Sequence, residues 1–104
     1  MATQFTCVWE FLVAPGQAAD FERHYGPKGS WVALFRHSPG YLGTQLLKDQ
    51  ANPLRFITVD RWASAQAYQA FQTAFHRPYA ELDATCRALT VSETSLGMFD
   101  EAGA

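Results

Sequence analysis

A chain of 104 residues with 48% hydrophobic, 14% aromatic and 17% charged side chains is one domain, residues 1–104, too short for two and too apolar for disorder. Eight Lys and Arg, never three in a row, against ten Asp and Glu leave a formal net charge of -2, which excludes a general nucleic-acid binder. No apolar stretch is long enough to span a membrane, no basic-then-apolar leader opens the chain, and Cys7 and Cys86 are too few and too distant for a disulfide scaffold, so reduced thiols in the cytoplasm are expected.

The first element is a strand. Phe5 to Val13 is rich in β-branched and aromatic residues and ends at Pro15-Gly16. Period two places Phe5, Cys7, Trp9, Phe11 and Val13 on one face, and Val8 and Leu12 with Thr6 and Glu10 on the other. Gln17 to Tyr25 reads as a helix, with Ala18, Phe21 and Tyr25 on one stripe. Gly26-Pro27-Lys28-Gly29 interrupts it, and reads equally as a lid or as an ordinary helix break. Ser30 has the chemistry of an N-cap for a short helix from Trp31 to His37. After the Ser38-Pro39-Gly40 turn, Tyr41 to Lys48 is a strand of mixed character, joined by a hairpin-like Asp49 to Pro53 to the strand Leu54 to Trp62. On that strand Leu54, Phe56, Thr58, Asp60 and Trp62 share one face. Arg55, Ile57, Val59 and Arg61 share the other. Ser64 caps a helix whose apolar stripe is Ala67, Tyr68, Phe71, Ala74 and Phe75. Pro78 is expected to break it after His76-Arg77. A last helical stretch, Tyr79 to Ala88, turns Leu82, Cys86 and Leu89 inward. Thr90 to Phe99 is the final strand, and Asp100 to Ala104 is expected to fray.

The order is β-α-β-β-α-β, which implies an α+β, ferredoxin-like fold: a four-stranded antiparallel sheet with helices on one face. Fifteen aromatics exceed what one small core needs. Part of the surplus is assigned to the open sheet face, through Val8, Leu12, Ile57 and Val59, and a homodimer packed sheet to sheet is the simplest way to bury it. Part is assigned to a slot beside the helices, where Thr58, Asp60 and Trp62 converge with Tyr68, Phe71 and Phe75, the mixture of apolar wall and polar tips that suits a small aromatic molecule.

Several chemistries are excluded by pattern. There is no Cys-x-x-Cys or His-x3-His, and His24, His37 and His76 lie in separate segments, so no metal cage is expected. No glycine-rich phosphate cradle and no nucleophile elbow is present. Cys7 and Cys86 have no adjacent base and read as structural. Trp62 is either a pocket wall or the packing plug of a strand end. Tyr68 either donates to a substrate oxygen or packs as core with its hydroxyl outward. His76 beside Arg77 is an acid/base candidate or a solvated helix end. His37 suits the negative end of its helix. Asp60 either pairs with Arg36, Arg55 or Arg61, or is a general base if desolvated.

Ser38-Pro39-Gly40-Tyr41-Leu42-Gly43-Thr44, and Ile57-Thr58-Val59-Asp60-Arg61-Trp62 running into Ala67-Tyr68-Gln69-Ala70-Phe71, resemble the antibiotic biosynthesis monooxygenase family of the dimeric α+β barrel superfamily, from Val8 to Phe99. The resemblance implies a homodimer with a pocket between sheet and helices. It also implies oxidation of a phenolic, quinol or polyketide-like aromatic by O2 with no metal or flavin. In the polyketide-oxidising branch an Asn on the third strand is followed by a Trp and a Tyr. Trp62 and Tyr68 stand at that spacing, and Thr58 occupies the Asn position, a departure that leaves one hydroxyl in place of an amide. The haem-degrading branch is set aside, because Trp9, Phe71 and Glu81 stand where it has Asn, Trp and His. The expected catalytic residues are therefore Tyr68, Trp62 and His76, with Thr58, Asp60, Phe71, Phe75 and Trp9 around the substrate. A non-catalytic binding or structural homodimer, or an isomerase or lyase in the same pocket, are the competing readings.

Overall fold

The computed structural model describes residues 3–103. Strand β1 spans Phe5–Val13, helix α1 Ala18–Tyr25, α2 Ser30–Phe35, β2 Tyr41–Lys48, β3 Arg55–Trp62, α3 Ala65–Ala74, α4 His76–Cys86 and β4 Thr90–Asp100, with a single 3-10 turn at Arg87–Leu89 before β4. The strands form one antiparallel sheet in the order β2-β3-β1-β4. This is the ferredoxin-like arrangement, with the helices on one face.

The strict alternation of β1 and β3 sets which face is which. Phe5 pairs with Trp62, Cys7 with Asp60, Trp9 with Thr58 and Phe11 with Phe56, and this face lies under the helices. Phe56 and Trp62 are fully buried there. The aromatic stripe of α1 settles on it: the Phe21 ring lies 4.9 Å from Phe56 and 5.2 Å from Phe11, and stacks on Tyr25 at 4.2 Å. Such ring pairs add to the stabilisation from burial alone, by about 0.5–1.5 kcal/mol each. Helix α3 contributes Phe71, which touches Phe35 and Trp62. Its start is held by Ser64, whose hydroxyl accepts from the Ala67 amide at 3.0 Å. Gly40 lets the turn before β2 lie against α3, since a Cβ there would stand 2.5 Å from that of Ala67.

The opposite face carries Val8, Leu12, Ile57 and Val59, all half-buried, crossed by Arg55, which donates to Glu10 at 2.7 Å and Asp49 at 3.2 Å. Among the described residues no helix covers it, and Leu47 and Phe99 stand exposed along its margins.

Four local expectations are corrected. Gly29, not Ser30, is the N-cap of α2; Ser30 is its first residue, and its hydroxyl instead meets His24 Nδ1 at 2.8 Å. Helix α2 also ends at Phe35, two residues short of His37. The break after α3 falls at Phe75 (φ -114°, ψ 27°), and Pro78 sits in the first turn of α4. An amide there has no intrahelical acceptor, so its absence costs little. The end of the chain is held further than expected: Asp100 pairs with Phe5, and the Glu101 amide donates to Gln4 at 2.9 Å. The remaining expectation for Ala104 lies outside the described residues. The Gly26–Gly29 segment is a tight link between α1 and α2. Gly26 and Gly29 amides are both bonded, to Glu22 and Gly26, and a Cβ on Gly29 would come within 2.4 Å of the His24 carbonyl.

Candidate functional site

A cavity of about 200 Å³ lies between the covered face of the sheet and helices α1, α2 and α4. Strand β1 supplies Trp9 and Phe11, β2 Thr44, β3 Thr58 and Asp60, and β4 Glu93. Helix α1 supplies Tyr25, α2 Trp31 and Phe35, and α4 Tyr79 and Asp83. Every strand and three of the four helices therefore reach it. The register explains the polar end: Thr44 pairs with Asp60 across β2 and β3, and Trp9 with Thr58 across β1 and β3. On the helices, Trp31 and Phe35, and likewise Tyr79 and Asp83, are four residues apart and so share a face.

Asp60 is the distinctive group. It is 9% exposed, and its Oδ1 accepts from the Thr44 hydroxyl at 2.6 Å. The Thr44 oxygen in turn lies 2.6 Å from the Tyr41 hydroxyl. With Asp60 ionised, both protons point inward and the chain runs from Tyr41 through Thr44 to the carboxylate. Among the described residues no guanidinium offsets the burial. Arg55 and Arg61 lie on the opposite face by parity, the first held by Glu10 and Asp49 and the second donating to Gln45 at 3.2 Å. Arg36, the third candidate, forms no ion pair with Asp60 among the described residues either, and the expected pairing with arginine is replaced by the Thr44 hydroxyl. Burial pushes the Asp60 carboxyl from an ordinary 3.8 up to about 6, with the Thr44 hydrogen bond opposing the rise. Burial likewise raises the phenols of Tyr25, Tyr41 and Tyr79, so all three stay protonated donors at neutral pH. Glu93 is raised by burial and by the charge of Asp83.

Of the residues singled out in the sequence, the structure brings Trp9, Thr58 and Asp60 to the cavity. It does not bring Trp62, Tyr68, Phe71, Phe75 or His76 to its lining. The cavity lies one ring away from the expected slot. Trp62 and Phe71, 0% and 2% exposed, both pack edge-on against Phe35, at 5.4 Å each, and Phe35 presents its own ring to the cavity. Trp62 is the core plug at the end of β3, and its Nε1 has no hydrogen-bond partner among the described residues. Tyr68 lies against Phe5 and Trp62, and its hydroxyl accepts from Gln72 at 2.9 Å. Phe75 stacks between Phe71 and His37. His76 is exposed at the start of α4.

The residues that sequence reasoning missed are Tyr79 and Asp83 of α4, Thr44 and Glu93, and the lining roles of Trp31 and Tyr25. The spacing of Tyr79 and Asp83 was a usable signal. The approach of Glu93 was not, because it depends on a bulge in β4. There Val8 pairs with Gly97 but Trp9 with Ser95, leaving Leu96 extra. Gly97 is what permits this: its φ is +140°, and a Cβ would meet the Phe99 ring at 2.7 Å. Both cysteines are buried, and burial raises Cys7 to about 12, consistent with packing rather than nucleophilic roles. Among the described residues no group of three or more His, Cys, Asp or Glu side chains converges as a metal site. Nor is any helix there long and apolar enough to cross a membrane.

The sequence pattern of one family, antibiotic biosynthesis monooxygenase, matches residues 4–77. No curated protein matches the chain. Among solved structures, SnoaB, a cofactor-independent oxygenase from Streptomyces nogalater, is similar in two forms. One has a TM-score of 0.82 at 20% identity, covering 99% of this chain and 97% of its own; the other has 0.77 at 24%, with the same coverage. A Bordetella bronchiseptica protein described as a candidate antibiotic biosynthesis monooxygenase has a TM-score of 0.77 at 19% identity, covering 96% of this chain and 98% of its own. At these identities the likeness establishes the fold.

Proposed function

The chain belongs to the antibiotic biosynthesis monooxygenase family, and on that premise we propose that it is a cofactor-independent monooxygenase acting on a small phenolic, quinol or polyketide-like aromatic with O2. The observation that carries this reading is Asp60: a buried carboxylate with a pKa of about 6, on the wall of an aromatic cavity. At pH 7 it is mostly ionised, yet basic enough to take a proton from an activated aromatic C–H or O–H. The electron-rich anion so formed is the reductant.

For an anthrone-type methylene the atoms balance as follows. Asp60 takes one C–H proton, and the carbanion adds to O2 with a new C–O bond. The peroxide anion takes the proton back. Loss of the second C–H proton with cleavage of the O–O bond then leaves a ketone and one water. In this reading the protonated Tyr25 and Tyr79 and the Thr58 hydroxyl, which line the cavity, stabilise the developing oxyanion. Trp9 and Trp31 supply flat apolar walls that orient the rings and exclude water. Trp62, Tyr68, Phe71 and Phe75 act one layer out, holding Phe35 and β3 in place. His76, exposed and outside the cavity, takes no part.

The same reading includes a homodimer. Val8, Leu12, Ile57 and Val59, with Leu47 and Phe99, form an apolar face that a second sheet would cover. A cytoplasmic setting, with both buried thiols reduced, goes with it.

The test is oxygen uptake by the purified protein over a panel of anthrones and hydroquinones. The reading expects uptake well above buffer with at least one substrate, and a loss of about 10²–10⁴-fold in kcat for Asp60→Asn. Uptake at the buffer rate across the panel would defeat it and favour a non-catalytic binding role.

A further inference from the structure

The charge lining the cavity is one-sided. Asp60 lies inside it, and Asp83 and Glu93 are more exposed and stand toward solvent. Among the described residues no Lys, Arg or His side chain lines it. Outside the lining, Arg87, 77% exposed, forms a long ion pair with Asp83 at 4.0 Å, and its charge partly opposes the rise of the Glu93 carboxyl. Among the described residues, the one side-chain hydrogen bond seen at Asp60 is that from Thr44 to Oδ1, although the residue is only 9% exposed. A carboxylated or phosphorylated ligand would bring a second anion against that carboxylate with no basic side chain in the lining to neutralise it.

The outer carboxylates repel each other, and the charge of Asp83 is one cause of the raised Glu93 carboxyl. A cation between them would relieve that repulsion. Trp31 and Tyr79, an edge-on pair at 4.9 Å, line the same cavity as these carboxylates, and aromatic rings in a lining tolerate a cationic ligand. Resting on the monooxygenase reading of this same cavity, we infer that the substrate class is aromatics bearing a protonated amine and no carboxylate. The acidic C–H or O–H end faces Asp60, and the ammonium end faces Asp83 and Glu93.

The test is anaerobic titration of tryptophan fluorescence, since Trp9 and Trp31 are in the cavity wall, with three matched probes at neutral pH and low salt: 6-(aminomethyl)-2-naphthol, 2-naphthol and 6-hydroxy-2-naphthoate. The amine is expected to bind at least about tenfold tighter than 2-naphthol, and the carboxylate more weakly than either. In the Asp83→Asn/Glu93→Gln double variant the advantage of the amine should shrink to within about threefold. Equal affinity for amine and carboxylate, an undiminished advantage in the double variant, or no quenching by any probe would each overturn the inference. No turnover is read, so the two readings fail separately: absent oxygen uptake with this order of affinities intact would sink only the oxygenase reading.

Discussion

Asp60→Asn should stabilise the protein at neutral pH, and less so in acid. Asp60 is a buried carboxylate whose pKa rises from 3.8 to about 6 on folding. Between those values the folded chain holds a proton that the unfolded chain has lost. Stability from this group is therefore full below pH 3.8 and falls as pH rises toward 6. The whole cost of keeping Asp60 ionised at pH 7.5 is on the order of 3 kcal/mol, of which about 2 kcal/mol develops between pH 4.5 and 7.5. Asparagine keeps the oxygen that accepts from Thr44 and removes the charge. Urea unfolding of both proteins at the two pH values isolates the effect, because every other titrating group cancels in the difference. The variant should gain about 2 kcal/mol relative to the parent on going from pH 4.5 to 7.5. A gap that stays constant with pH would show that Asp60 is not desolvated as described, and would remove the physical basis for its role as a base.

Three further outcomes follow from the same geometry. Thr44→Val should raise the Asp60 pKa further, because the Thr44 hydroxyl at 2.6 Å is what holds it down, and Thr44→Ser should restore it; carboxyl-carbon NMR titration that is unchanged in the valine variant would contradict this. Phe71→Ala should cost about 3–5 kcal/mol in urea unfolding, since its ring is 2% exposed and touches Phe35, Trp62 and Phe75; a loss under about 1 kcal/mol would show that the layer behind the cavity is loosely packed. Cys7, pushed up to about 12 by burial, should resist a thiol reagent at pH 8 in the folded protein; labelling at the rate of a free cysteine would contradict its placement.

Much of this architecture is legible in local pattern. Period two in Phe5–Val13 and Arg55–Trp62 assigns every side chain of the two central strands to its correct face, because a half-covered sheet leaves little freedom of register. The same parity already separated Asp60 from Arg55 and Arg61, so their pairing was excluded in principle by the alternation itself. Depth along the strand is a different matter. Trp62 and Thr58 share a face, but Trp62 sits at the strand end, where Phe35, Tyr41 and Phe71 close over it. Thr58 sits mid-strand, where the helices stand away. That difference is set by where α2 and α4 land, and no local spacing carries it. Pro78 shows a related limit. Its chemistry forbids a helix interior but tolerates a first turn, and which of these it occupies depends on where the preceding helix stops, at Phe75. The approach of Glu93 to the cavity depends on the bulge at Leu96 in β4, a long-range register.

In the proposed function this cavity lets an aromatic anion reduce O2 without a bound metal or flavin. The most direct measurement is the mass of the product formed by chelator-treated, flavin-free protein from a panel-identified anthrone under isotopically heavy O2. The expected product is a ketone carrying one heavy oxygen atom, formed at the rate of untreated protein. A product without the label, or turnover that disappears on treatment and returns with added metal or flavin, would contradict it.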